Sequence, residues 1–114
     1  NRRYRQEILD VMEYIDANLN RKLTLKEIAD SIGMNESSLS RLFKNETGVN
    51  LNYYINEKKM KKAMELLRRE SSMIKDVAAA VGMDDQLYFN KVFKKYYNVS
   101  PSEFKKKLHP DTEE

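Results

Sequence analysis

The feature of this sequence that most limits its fold is a segment that occurs twice, about fifty residues apart. IADSIGM (28–34) aligns with VAAAVGM (77–83), and SLSRLFK (38–44) aligns with YFNKVFK (88–94). In each copy an alanine precedes a glycine by four residues between apolar residues, which suits two short helices that cross closely at a tight turn. Each copy is therefore predicted to form a helix-turn-helix.

The two copies differ by one residue near the turn. The offset between them is one residue larger at Phe43 and Phe93 than at Gly33 and Gly82. We interpret Asp84 as the extra residue. The repeat supports the prediction more than either copy alone, because a single alanine–glycine pattern of this spacing is common in helical proteins.

Capping residues indicate where the helices begin. Thr24 is followed three residues later by Glu27, and Ser100 by Glu103, which is the capping-box pattern. The other predicted N-caps are Asn35, Asn50, either Ser71 or Ser72, and either Asp84 or Asp85. Gly48 and its counterpart Asn98 are predicted to end helices, since Asn tolerates the left-handed conformation better than most residues.

We predict an all-α fold of seven helices, in which two helix-turn-helix units are joined by a long linker helix. With 3 Gly and 2 Pro, the chain favours helices over a strand-and-turn fold. The predicted helices cover about residues 5–19, 24–32, 36–46, 51–69, 71–81, 85–97 and 101–108. The predicted units are a lead-in helix packed on the first unit (1–22), the first helix-turn-helix (23–50), the linker helix (51–70), the second helix-turn-helix with its closing helix (71–108), and a disordered tail (109–114).

Composition argues against an enzyme. The 114 residues include no Cys and one His, His109, which we expect to be solvated. There is no Gly-rich loop, no pair of catalytic carboxylates and no nucleophile elbow, so we predict no catalytic residues, no cofactor and no metal.

The sequence also argues against a membrane segment. The longest apolar run, residues 77–81, is far shorter than the about 20 residues that a spanning helix needs. The first ten residues contain no apolar leader and no initiator Met. We expect this segment to be a cytoplasmic fragment of a longer protein, without membrane contact.

The third and sixth predicted helices each separate into an apolar and a polar face. At about 100° per residue, three apolar side chains cluster on one side of each helix and polar or cationic side chains lie opposite. The inward residues are Leu39, Leu42, Phe43, Phe89, Val92 and Phe93; the outward residues are Ser37, Ser40, Arg41, Lys44, Leu87, Asn90, Lys91 and Lys94.

These outward side chains suit the major groove of DNA. Arg41 has the geometry to bind guanine O6 and N7. Asn90 and Gln86 have the groups to hydrogen-bond adenine, and Leu87 can contact a thymine methyl. Ser37, Ser38 and Ser40 are short enough to reach bases or phosphates. Phosphate contacts are predicted from lysines further along each helix and from the starts of the second and fifth helices. These residues are Thr24, Lys26, Lys44, Lys75, Lys94 and Lys95.

Two other interpretations remain open at this stage. A cationic helix face is often only a solvated face, and a helix-turn-helix can serve as a packing element. The net charge of +3 and the pI near 9.0 are weak evidence for nucleic acid. The repeated polar outer face favours DNA binding, because a helix used only for packing has no reason to repeat it.

The linker length fits two adjacent grooves. Nineteen residues at about 1.5 Å each give about 28 Å, whereas successive major grooves lie about 34 Å apart. One monomer is therefore expected to cover two half-sites, and the DNA must bend if the helix spacing falls short.

The run SSLSRLFKNETGVNLNYYI, then KKAMELL, then VAAAVGMDDQLYFNKVFKKYYNVSPSEFK resembles the AraC/XylS family of bacterial transcription regulators. The resemblance covers residues 23–106. It implies a domain of two helix-turn-helix units whose third and sixth helices enter successive major grooves. The base-contacting residues it implies are Ser37, Ser38, Ser40, Arg41, Gln86, Leu87, Asn90 and Lys91.

The linker helix departs from the family pattern. Lys58 and Lys59 stand where the family commonly has an aliphatic residue and an Arg, and Lys cannot reproduce a bidentate Arg contact. We keep Lys59 as a candidate phosphate contact. Lys91 also stands where Arg is common, which predicts a second unit that binds more weakly or selects sequence less.

The resemblance also implies partners. A sensor, receiver or ligand-binding domain is expected before this segment in the full protein. The partner of the segment itself is predicted to be double-stranded DNA. The alternative is a helical protein-interaction module that contacts RNA polymerase or another regulator, and the two roles can coexist.

Overall fold

A computed structural model describes residues 4–111 as helices and connecting turns. This confirms the all-α fold with two helix-turn-helix units. The helices are α1 (Gln6–Ala17), α2 (Leu25–Ser31), α3 (Glu36–Thr47), α4 (Leu51–Leu67), α5 (Ile74–Ala80), α6 (Gln86–Tyr97) and α7 (Pro101–Leu108).

Side-chain caps begin five of these helices. Thr24 with Glu27 and Ser100 with Glu103 form complete capping boxes at α2 and α7. The side-chain oxygens of Asn35, Asn50 and Asp85 accept backbone N–H bonds at the starts of α3, α4 and α6.

The start of α5 differs from the prediction. Its N-cap is Met73, which makes no side-chain cap. Neither predicted serine takes that role, and the Ser72 hydroxyl instead donates to the Arg69 carbonyl at 2.7 Å. The apolar residues Ile74 and Val77, both buried, set the start of this helix by packing into the core.

Left-handed residues end the helices where the sequence predicts them. Gly33 and Gly82 have φ of +70° and +73° in the two turns. Gly48 and Asn98 follow α3 and α6 with φ of +83° and +63°.

The helices bury two separate apolar cores that share α4. The first core joins α1, α2 and α3 to the start of α4, and the second joins the end of α4 to α5 and α6, with α7 packed on α6. Along α4, Leu51 and Ile55 belong to the first core, whereas Met60, Ala63 and Leu67 belong to the second. The linker helix therefore fixes the distance between the two units.

His109 is not the solvated tail residue that the sequence suggested. It is half-buried, and its ring Nε2 lies 2.8 Å from the carbonyl oxygen of Arg68. Residues 112–114 of the predicted tail lie outside the described residues. Within residues 4–111, no helix is long and apolar enough to cross a membrane.

Candidate nucleic-acid interface

The helices α3 and α6 are equivalent parts of the two units. Each has twelve residues, and α6 begins fifty positions after α3. Leu39 and Phe43 anchor α3, and Phe89 and Phe93 anchor α6; all four are fully buried. The apolar faces of α3 and α6 pack into the two cores, so their polar faces point outward.

The outer face of α3 groups four of the predicted contact residues. Ser37, Ser40, Arg41 and Lys44 are exposed and line one shallow groove. The same groove includes Glu36, whose carboxylate suits the start of a helix but repels phosphate.

Ser38 is less available than its neighbours. It is half-buried, and its backbone N–H donates to the Asn35 Oδ1 at 2.8 Å.

The outer face of α6 presents three of its four predicted residues. Gln86, Leu87 and Lys91 are exposed, and Leu87 has 77% of its surface accessible. A leucine this exposed removes little apolar surface from water on folding, and its methyl groups are accessible to a partner.

Asn90 does not face outward as predicted. It is half-buried, and its Oδ1 is inaccessible and has no hydrogen-bond donor among the described residues. A bidentate bond to adenine needs both the oxygen and the amide nitrogen of the side chain. Asn90 would therefore have to rotate its side chain before it could contact a base.

Three neighbouring depressions lie between α3 and the start of α6. The groove on α3 shares Ser40 with a second depression at the start of α4, which contains Asn50 and Asn52. That depression shares Asn52 with a third one, which ends at Asp85 and Tyr88 of the second unit. The polar start of α4 thus lies between the two outward-facing helices.

The predicted phosphate contacts differ in availability. Lys44, Lys75, Lys94 and Lys95 are exposed. Lys26 is exposed as well, but its ammonium lies 3.0 Å from the Asp30 carboxylate, which offsets its charge.

Thr24 is engaged in its capping box. Its hydroxyl oxygen accepts from the Glu27 backbone N–H, and its own N–H donates to the Glu27 side chain, both at 3.1 Å. That N–H is not free for a phosphate.

Lys59 is not a phosphate contact in this structure. Its side chain is buried, and its Nζ donates to the carbonyl oxygens of Arg21 and Val81, both at 2.7 Å. Burial, with the nearby charges of Lys62 and Arg21, lowers the pKa of Lys59 to about 8. At neutral pH it remains an ammonium held between two backbone segments.

The sequence did contain a signal for this position. Lys59 follows the buried Ile55 by four residues and precedes the buried Ala63 by four, so it lies on the inward stripe of α4.

The comparisons decide the family. Residues 28–107 match the model of a family described as a helix-turn-helix domain. The chain belongs to the AraC/XylS family. This membership confirms the predicted resemblance and the predicted class of function, that of a DNA-binding transcription regulator and not an enzyme.

Individual relatives of this AraC-family domain agree. It is 31% identical over 100 residues to the lactose operon transcription activator of Staphylococcus xylosus, across 88% of this chain and 36% of that protein. The C-terminal domain of AraT, a response regulator from Geobacillus stearothermophilus, superposes with a TM-score of 0.89 at 31% identity, covering 92% of this chain and 88% of that one.

The DNA-binding domain of AdpA, solved in complex with a target DNA, shares the fold alone. Its TM-score is 0.84 at 16% identity, and the match covers 94% of this chain and 99% of that one. The chain spans about a third of the length of three curated relatives that it matches, the lactose operon transcription activator among them.

Proposed function

We propose that this domain binds double-stranded DNA in a sequence-specific manner by placing α3 and α6 in successive major grooves. The observation that carries the proposal is the repeat in three dimensions. Two helices of equal length, each anchored by a buried Phe pair or its Leu–Phe equivalent, direct polar faces outward from one scaffold.

The dimensions of the domain support two grooves. The molecule is 49 Å long, and the 17 residues of α4 span about 25 Å at about 1.5 Å per residue. Successive major grooves on one side of B-DNA are about 34 Å apart. The body is long enough to reach both, and a shorter helix spacing would be accommodated by bending the DNA.

The exposed side chains divide into those that contact bases and those that contact phosphates. Arg41 is the strongest candidate for a base contact, since an exposed guanidinium can donate two hydrogen bonds to guanine O6 and N7. On α6, Gln86 and Leu87 are the exposed candidates for adenine and for the thymine methyl. Lys44 and Lys94, further along each helix, supply affinity through phosphates without selecting sequence.

The DNA-binding domain of AdpA, which has the same fold, was solved in complex with a target DNA, and this supports DNA as the partner. We infer that in the full protein a regulatory region precedes this domain, as the greater length of the relatives suggests. The whole protein then acts in the bacterial cytoplasm, where its DNA lies. No feature of the described residues favours RNA polymerase as the partner instead.

The test is selection of bound fragments from a pool of random duplexes, followed by footprinting and a salt titration of the selected site. We expect two protected blocks about one helical turn apart, and affinity that falls steeply as salt rises. A domain that binds no duplex even at low salt would contradict the proposal and favour a protein-interaction module.

A further inference from the structure

The two helix-turn-helix units share α4 and also contact each other directly at a second place. Gly82, in the turn between α5 and α6, lies against the backbone of Arg21, in the loop between α1 and α2. A Cβ atom placed on Gly82 would lie 2.5 Å from the carbonyl carbon of Arg21 and 2.6 Å from its Cα. Because real Cβ atoms do not approach backbone so closely, only glycine permits this contact between units.

The equivalent glycine of the first unit has no such neighbour. Gly33 has nearly the same backbone angle as Gly82, φ of +70° against +73°, but nothing lies within 4 Å of a Cβ placed on it. Both turns need a left-handed residue, whereas only the second also needs the absence of a side chain. The close approach at Gly82 therefore belongs to the joint between the units, not to the turn.

Lys59 binds the same two segments. It lies on α4 between Ile55, the last α4 residue of the first core, and Met60, the first of the second core. Its Nζ donates to the carbonyl oxygens of Arg21 and Val81, and 3% of the residue is exposed. One buried ammonium thus connects the loop of the first unit to the end of α5, directly before the turn that leads into α6.

The loop that receives these contacts is itself fixed. The Arg21 guanidinium lies 2.8 Å from the Glu27 carboxylate and donates to the Tyr14 hydroxyl at 3.2 Å. The loop is therefore tied to both α1 and α2. Through Lys59 and Gly82 the positions of these helices determine where α6 begins.

We propose that Lys59 and the Gly82–Arg21 contact hold the two units in one orientation and thereby set the number of base pairs between the two half-sites. Lys59 is a positioning residue and does not touch DNA. The proposal rests on the proposed function for its consequence on DNA. Each base pair inserted between the half-sites shifts the second one by about 3.4 Å and rotates it by about a tenth of a turn, which a rigid pair of units cannot follow.

The rigid joint is tested first without DNA. The chain contains no Cys, so spin labels attach only at introduced cysteines. We place one by Asn45→Cys on α3 and one by Lys95→Cys on α6. Pulsed dipolar spectroscopy then measures the distribution of distances between the two labels. We expect one narrow distance distribution. Gly33→Ala, the matched control, keeps it, whereas Lys59→Met and Gly82→Ala broaden it at a temperature where circular dichroism shows all four proteins folded.

The consequence for DNA is tested on the selected site with one or two base pairs inserted between its halves. The unaltered domain and Gly33→Ala are expected to lose affinity about tenfold or more per insertion, comparable to a mismatched base pair. Lys59→Met and Gly82→Ala are expected to lose about threefold or less, because their units can adjust.

A narrow distance distribution and an unchanged spacing profile in Lys59→Met and Gly82→Ala would overturn the inference. Absence of duplex binding by every variant would instead contradict the proposed function, and the distance measurement would still decide whether the joint is rigid.

Discussion

Arg41 and Lys91 occupy the same position, the sixth, in two helices of equal length that are anchored alike in their two units. Both side chains are exposed on the outer face. They differ in chemistry, because a guanidinium offers a planar fork of donors and an ammonium is a point charge. The two side chains therefore start from equivalent backbone positions but differ in how strongly each can select a base.

We predict that Arg41→Ala weakens binding to the selected site by about 1–3 kcal/mol and relaxes the base preference at one position. Lys91→Ala is expected to reduce affinity with little change in preference, and Lys91→Arg to increase selectivity at the second half-site. Fluorescence anisotropy on duplexes with single base substitutions measures both effects. Equal losses of preference in the two alanine variants would contradict the assignment.

Lys44 and Lys94 are predicted to contact phosphates. Lys44→Ala or Lys94→Ala should weaken binding to all duplexes alike and lower the slope of log affinity against log salt by about 1. Lys61→Ala is the matched control, since Lys61 is exposed on α4 and nine residues from Asn52, on the opposite side of that helix. A slope that changes as much in the control as in the other variants would show a general effect of net charge.

Local patterns predicted the parts of the structure that depend on a few neighbouring residues. The capping boxes, Gly82 and the left-handed Asn98 were correctly predicted, because a cap or a positive φ is decided within about one turn of the chain. Ser71 and Ser72 failed as caps because packing of the apolar start of α5 decided where that helix begins.

The errors at the candidate site have a tertiary origin. Lys59 looked like a phosphate contact because lysines usually lie at the surface, and its two carbonyl acceptors come from segments 38 and 22 residues away. Asn90 was predicted to face outward from ideal helix geometry, but it is half-buried and its Oδ1 is inaccessible. The angle of a residue around an ideal helix does not tell which other side chains pack over it.

The exposed Leu87 provides a test of direct base contact. We predict that Leu87→Ala changes the free energy of unfolding by less than about 0.5 kcal/mol, because the side chain is exposed. It should lower the discrimination between thymine and uracil, which lacks the methyl group, at one position of the second half-site. Leu108→Ala, which alters an exposed leucine of α7, is the control. Loss of stability with unchanged discrimination would assign Leu87 to packing instead.

Asn98 provides a test of the left-handed helix ends. Its φ of +63° is costly for most L-residues, so Asn98→Ala is predicted to destabilise the domain by about 1 kcal/mol and Asn98→Gly to be neutral or stabilising. Chemical denaturation measures the free energies of unfolding. A tolerated alanine would mean that the backbone can relax at this position.

The ion pair of Glu27 with Arg21 predicts a dependence of stability on pH. The Arg21 guanidinium, 2.8 Å away, lowers the pKa of Glu27 from 4.5 to about 2. In the unfolded chain the carboxyl takes up a proton near pH 4.5, whereas in the folded protein it stays charged until about pH 2, so the unfolded state binds more protons between these values. The stabilisation is therefore fully present above about pH 4.5 and is lost as the pH falls towards 2.

Glu27→Gln keeps an oxygen for the capping box but removes the charge. Water screens this partly exposed pair, so we expect the variant to be less stable than the unaltered domain by about 1 kcal/mol at pH 6 and by almost nothing near pH 2. Urea denaturation at a series of pH values measures the difference. In an Arg21→Met background the effect of Glu27→Gln should depend much less on pH, because the guanidinium, the largest cause of the lowered pKa of Glu27, is gone. If the difference between the Glu27→Gln variant and the unaltered domain instead stays constant from pH 6 to 2, the ion pair does not carry the stabilisation.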